Sequence, residues 1–116
     1  MHTLNWFEIP VADIERATTF YAALLGKPLT VGAFQGAPMT LLDGDGCLMQ
    51  DGRKASQDGA RIYLAVDGQL DAVLARLATA GGALLQEPTG LGGGRGTFAL
   101  FTDTEGNAIG LFDKKR

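Results

Sequence analysis

The chain opens on a period-two pattern. From Leu4 to Ile9 side chains alternate, so Trp6, Glu8 and Pro10 fall on one face of an extended segment and Phe7, Ile9 and Val11 on the other. The period then changes to that of a helix. Ile14, Ala17, Tyr21 and Leu24 recur at helical spacing, Asp13 stands where a short carboxylate can accept from the free N–H groups of a first turn, and Gly26 suits the residue just past a helix end. A helix over Ile14–Leu25 is predicted. Strands follow over 27–34, 38–42 and 47–50, the last two joined by Asp43-Gly44-Asp45-Gly46, whose residue types tolerate the positive φ of a tight hairpin. Residues 51–59 are polar and glycine-containing, the mark of a connecting loop.

The pattern then restarts. Over 61–66, Ile62, Leu64 and Val66 share one face and Arg61, Tyr63 and Ala65 the other. Leu70, Val73, Leu74, Leu77 and Ala78 give a second helix, over 69–80, stopped by Gly81-Gly82. A short strand over 83–86, a glycine-rich loop over 88–96, and strands over 97–102 and 108–113 around Asp103-Thr104-Glu105-Gly106-Asn107 complete the chain. Val11 and Val66 are 55 positions apart, as are Gly26 and Gly81, so strand, helix and strands occur twice. One unit alone leaves its sheet uncovered. The two are therefore expected to pack as one α+β domain, with a first module over about 1–50, a loop over 51–59 and a second module over about 60–116.

Composition narrows the function classes. Hydrophobic residues are 46% and charged residues 20%, as in a folded globular chain. A net charge of −3 without a basic stripe argues against nucleic-acid binding, where phosphate contacts dominate, and Lys114-Lys115-Arg116 reads as a solvated tail. No apolar run approaches the ~20 residues of a membrane span, and the first residues lack the features of a signal peptide. With Cys47 as the single cysteine there is no intrachain disulfide, and a cytoplasmic location is expected. His2 is the single histidine, which excludes a His-rich metal site and any Ser-His-Asp triad that does not use it. The 90–96 glycine run lacks the Gly-Lys-Ser/Thr ending of a phosphate loop and lies between strands; a loop over a cavity mouth or a plain connection fits it.

Two segments carry a family resemblance. Phe7-Glu8-Ile9-Pro10-Val11-Ala12-Asp13-Ile14-Glu15-Arg16-Ala17, with Phe20-Tyr21, resembles the strand-to-helix opening of the vicinal oxygen chelate superfamily, which includes glyoxalase I, extradiol dioxygenases and bleomycin-resistance proteins. Phe101 to Leu111, with Asp103-Thr104-Glu105-Gly106-Asn107, resembles its closing D-P-x-G-N hairpin, Thr104 standing for the proline. The nearest subgroup is the one described as related to lactoylglutathione lyase. The resemblance implies two paired βαβββ modules around a half-barrel, a homodimer, and lyase- or isomerase-like chemistry at a divalent ion held by one side chain from each of four strands. Carried over by position, those four places fall on Trp6, near Gln50, on Arg61 and on Gly110. Trp offers no lone pair, Arg brings a positive charge, Gly has no side chain, and a lone Gln carbonyl does not hold a catalytic cation. No metal site and no cofactor are expected.

The same positions suit a small-molecule pocket. Trp6, Glu8, Gln50, Arg61 and Tyr63 are expected to line one cavity that binds a small oxygenated or anionic metabolite. Two readings of Arg61 stand: it takes a ligand's carboxylate or phosphate, or it pairs with Glu8 and plugs the cavity. Glu8 is the candidate general base, since burial beside Trp6 raises a carboxyl pKa whereas Arg61 beside it lowers it. Three functions remain open: a metal-independent lyase-like enzyme, a sequestering binding protein of the antibiotic-resistance kind, and a ligand-free dimeric interaction domain.

Overall fold

The computed structural model describes residues 4–116, so His2 lies outside the described residues. Its elements follow the order β1 (Phe7–Pro10), α1 (Ile14–Leu25), β2 (Val31–Phe34), β3 (Ala37–Leu42), β4 (Gly46–Met49), β5 (Tyr63–Ala65), α2 (Leu70–Ala80), β6 (Ala83–Gly90), β7 (Thr97–Thr102) and β8 (Ala108–Asp113). They form two four-stranded sheets of identical topology, β1-β4-β3-β2 and β5-β8-β7-β6. In each the leading strand lies parallel to the last, and the other pairings are antiparallel. The architecture is the expected α+β pair of βαβββ modules.

Local chemistry explains the elements. Asp13 caps α1 by accepting from Arg16 N at 3.1 Å, and Gly26 (φ 68°) and Gly81 (φ 111°) end the two helices in the left-handed region, where a Cβ is costly. Several strands shift by one to three residues at an end, β5 being the short Tyr63–Ala65, and three boundaries differ for reasons the local chemistry shows. β2 begins at Val31 rather than 27, because Lys27 N still bonds back to Ala22 O at the helix end and Pro28 has no N–H to give a ladder. Gln69 is the N-cap of α2 rather than its first residue. β6 runs on to Gly90, through Pro88, because it is an outer strand; its register with β7 shifts between Leu84 and Gln86 and again between Gln86 and Thr89.

The inner faces meet in one continuous core. Ile14, Phe20 and Leu24 of α1 and Leu70, Val73 and Leu77 of α2 pack with Ile9 and Leu48 of the first sheet and Phe101, Ile109 and Leu111 of the second. Phe20, Tyr21 and Phe101 form an aromatic group with centroids 4.9 to 6.4 Å apart, joining the first helix to the second sheet. The turn between β7 and β8 then clamps the modules. Tyr21 Oη donates to Asp103 Oδ2 (2.7 Å), Asn107 Nδ2 to the Pro10 carbonyl (2.8 Å), and the N–H groups of Ala12 and Asp13 to Glu105 Oε1 (2.9 Å each). The opposite sheet faces stay open, with Trp6, Leu41 and Tyr63 exposed.

Candidate functional site

Strand alternation places Glu8 on the open face of the first sheet, and the 51–59 loop folds back to meet it. Trp6 Nε1 donates to Glu8 Oε2 (3.2 Å), Arg53 Nη2 donates to Glu8 Oε1 (2.7 Å), and Arg53 Nε donates to both oxygens of Asp51 (3.0 Å each). Glu8 is therefore paired with Arg53, not with Arg61. The Arg53 hydrogen bond first, and that of Trp6 second, hold the Glu8 carboxyl below its usual range. The raised pKa expected of a general base is absent: beside Glu8, Trp6 acts through its N–H and favours the ionised form. Cys47, opposite Glu8 in the β1–β4 ladder, is fully buried, and burial first, with Glu8 second, pushes its thiol up to about 11.

Gln50 does structural work at the end of β4. Its Oε1 accepts from Ile14 N at 2.7 Å and so caps α1. Asp113, at the end of β8, repeats the device in the second module, accepting from Gly68 N (2.9 Å) and from Leu70 N (3.4 Å), the first residue of α2. Gln50 also borders a hollow of about 460 Å³ with Arg53 and Lys54.

Arg61 and Tyr63 come together on another surface. A groove of about 770 Å³ lies beside β1 and β5, each the outer strand of its sheet. Phe7, Leu25, Leu42, Ile62 and Leu64 give it apolar walls; Arg61, Tyr63, Asp45 and the Lys27–Asp43 ion pair (2.7 Å) supply its polar groups. Among the described residues Arg61 has no ion-pair partner. The Tyr63 ring lies on Gly110 and meets Phe98 edge-on, with centroids 6.0 Å apart.

The structure thus joins Trp6 with Glu8, and Arg61 with Tyr63, without placing the two pairs in one cavity. Glu8 borders a separate hollow of about 230 Å³ with Lys54, Asp58 and Asn107. Alternation gave the right faces but carries no distance between strands of different sheets. It also missed Arg53, 45 positions from Glu8; the only signal was an Asp51–Arg53 charge pair in a polar loop.

The four metal-ligand places do not fit a divalent ion. Trp6 has no lone pair to give a metal, the Gln50 oxygen is committed to α1, Arg61 is a cation, and the space over Gly110 holds the Tyr63 ring. Among the described residues no group of three or more His, Cys, Asp or Glu side chains converges.

Comparison with known proteins places this fold. Residues 3–111 match the sequence model of the Glyoxalase/Bleomycin resistance protein/Dioxygenase superfamily. A glyoxylase-like domain-containing protein of Didymella fabae is 30% identical over 113 residues, covering 90% of this chain and 88% of that protein. A glyoxalase/bleomycin resistance protein from Albidiferax ferrireducens has a similar structure, with a TM-score of 0.75 at 23% identity over 97% of this chain and 98% of that one. A genomically encoded fosfomycin resistance protein from Listeria monocytogenes gives a TM-score of 0.72 at 15% identity, covering 100% and 99%. An antibiotic binding protein from a Streptomyces species gives a TM-score of 0.63 at 28% identity, covering 97% and 96%. Two βαβββ modules, both motif segments and a sequence match across nearly the whole length agree, and the chain belongs to the glyoxalase/bleomycin resistance protein/dioxygenase superfamily.

Proposed function

We propose that this protein binds a small oxygenated or anionic molecule in the groove beside β1 and β5, without a metal ion, and works as a binding protein rather than as a metalloenzyme. The observation that carries this reading is Arg61, exposed on an apolar-walled groove of about 770 Å³ and without an ion-pair partner among the described residues. That volume is within the range of small-molecule sites, and a guanidinium is the group best shaped for a carboxylate or similar oxyanion. The unsuitable donors at the metal-ligand places support binding without metal chemistry. The likeness to an antibiotic binding protein at 28% identity supports sequestration over turnover. A homodimer is part of the reading, as is a cytoplasmic location, in keeping with the single, unpaired Cys47.

The test is thermal melting against a panel of small carboxylates, with native mass spectrometry of the purified protein. A ligand at 100 times its Kd stabilises the folded state by about 2.7 kcal/mol, and Arg61→Gln is expected to abolish that gain. Because Arg61 is exposed, the unliganded variant should melt within about 0.5 kcal/mol of the parent. A parent protein that no carboxylate stabilises, and that carries nothing when purified, would overturn the proposal. So would a stoichiometric transition metal in elemental analysis after dialysis.

A further inference from the structure

Gly110 is buried in the second sheet, directly beside Tyr63 in the parallel β5–β8 ladder. Its φ is not positive, so the backbone does not call for glycine. The neighbouring ring does: a Cβ at position 110 would fall inside the van der Waals shell of the Tyr63 ring. Phe98 meets that ring edge-on at an interplanar angle of 75°. Held by both, Tyr63 is still 44% exposed, and it lines the same groove as Arg61. Alternation along 61–65 puts both side chains on the open face.

We infer that Tyr63, seated against Gly110 and braced by Phe98, is a stacking platform that selects a planar, conjugated body for the ligand whose anionic group Arg61 receives. The ligand class is an aromatic carboxylate or an equally flat conjugated oxyanion. This inference rests on the binding reading above and adds the shape of the ligand to it. The physical basis is that an aromatic face attracts a second flat π-system in offset geometry beyond what area burial supplies, whereas a puckered ring gains only the burial. Asp45 shares the groove but makes no ion pair with Arg61 within 4.0 Å, so the guanidinium is left to the ligand.

The experiment compares 2-naphthoate with its saturated counterpart, decahydro-2-naphthoate, by calorimetry. The two share a carbon skeleton and a charge, and the saturated acid has more apolar surface to bury. The parent protein is expected to bind naphthoate about tenfold more tightly, the scale of one aromatic stacking contact. Gly110→Ala lifts the ring off the sheet and should bring the ratio within about twofold, with the saturated acid binding as before. Tyr63→Leu should do the same, and Tyr63→Phe should keep the preference; circular dichroism melts confirm folding. If Gly110→Ala does not fold, Tyr63→Leu decides the matter. Equal binding of the two acids by the parent, or an unchanged preference in Tyr63→Leu, would overturn the platform. If both acids bind equally and Arg61→Gln abolishes both, only the platform falls. If neither binds the parent, the platform falls; the binding reading falls with it only if, in addition, no carboxylate of the panel stabilises the parent and nothing is carried through purification.

Discussion

Glu105 shows how much one turn residue can hold. Its side chain is fully buried, and it accepts from the N–H groups of Ala12 and Asp13, from Arg16 Nε (2.7 Å) and Nη2 (3.0 Å), and from Thr104 Oγ1 (2.9 Å). Burial raises its pKa, but the hydrogen bonds from Arg16, Asp13 N–H, Thr104 and Ala12 N–H outweigh it and bring the carboxyl down to about 2, from an ordinary 4.5. A folded pKa below the unfolded one means stability that is present above about 4.5 and is lost as pH falls from there toward 2. The linked contribution is on the order of 2–3 kcal/mol. Urea unfolding should therefore show a marked loss between pH 7 and pH 3. Glu105→Gln should lose about 2–4 kcal/mol at pH 7 and flatten that pH dependence. A variant as acid-sensitive as the parent would show that another carboxylate carries the linkage. The motif containing Glu105 was legible in the sequence, as were the faces of Trp6, Glu8, Arg61 and Tyr63. What Glu105 grips, 92 and 93 positions away, was not.

Among the elements, the α2–β6 junction depends on close approach. A Cβ at Gly82 would stand 2.6 Å from Leu77, 2.8 Å from Phe20 and 2.8 Å from the Thr102 carbonyl. The carbonyl is backbone and Phe20 is locked in the aromatic group, so neither can move aside cheaply. Gly82→Ala is expected to destabilise the protein by about 1–3 kcal/mol through overpacking. Gly44→Ala, in the β3–β4 turn, meets nothing within 4 Å and should leave the urea midpoint nearly unchanged. Equal midpoints for the two variants would show that α2 can shift to make room. The first helix was legible because cap, period and stop agree, and the second from period and stop alone. The extent of β6 was not, since an outer strand tolerates a proline and two register shifts that read locally as loop.

On the scale of the whole molecule, the open sheet faces and outer strands call for a partner. All eight residues of β6 are exposed, including Leu84 (45%) and Leu85 (47%), and Phe34 on β2, the outer strand of the other sheet, is 52% exposed. Long exposed apolar edges of this kind invite pairing, and twofold self-association is the commonest way to cover them. Sedimentation equilibrium at micromolar concentration should give about twice the 12.2 kDa chain mass. Leu84→Asp with Leu85→Asp should shift it toward the monomer. A clean single-chain species in the parent would count against the dimer.

Sequence by itself determined the order of the elements, their double occurrence, and which side of each leading strand turns inward. All of that is local: a period of 2 or 3.6, a cap, a stop, a turn. Only the tertiary structure decided which polar groups meet. Arg53 reaches Glu8, Gln50 spends its oxygen on α1, and the Tyr63 ring lies over Gly110. Alternation fixes a side chain's face, but the direction in which a loop returns, and the gap between two sheets, follow from how the helices pack into one core. Four candidate site residues, Trp6, Glu8, Arg61 and Tyr63, were therefore placed by alternation and Gln50 by the family resemblance, while their grouping into separate surfaces had to wait for the fold.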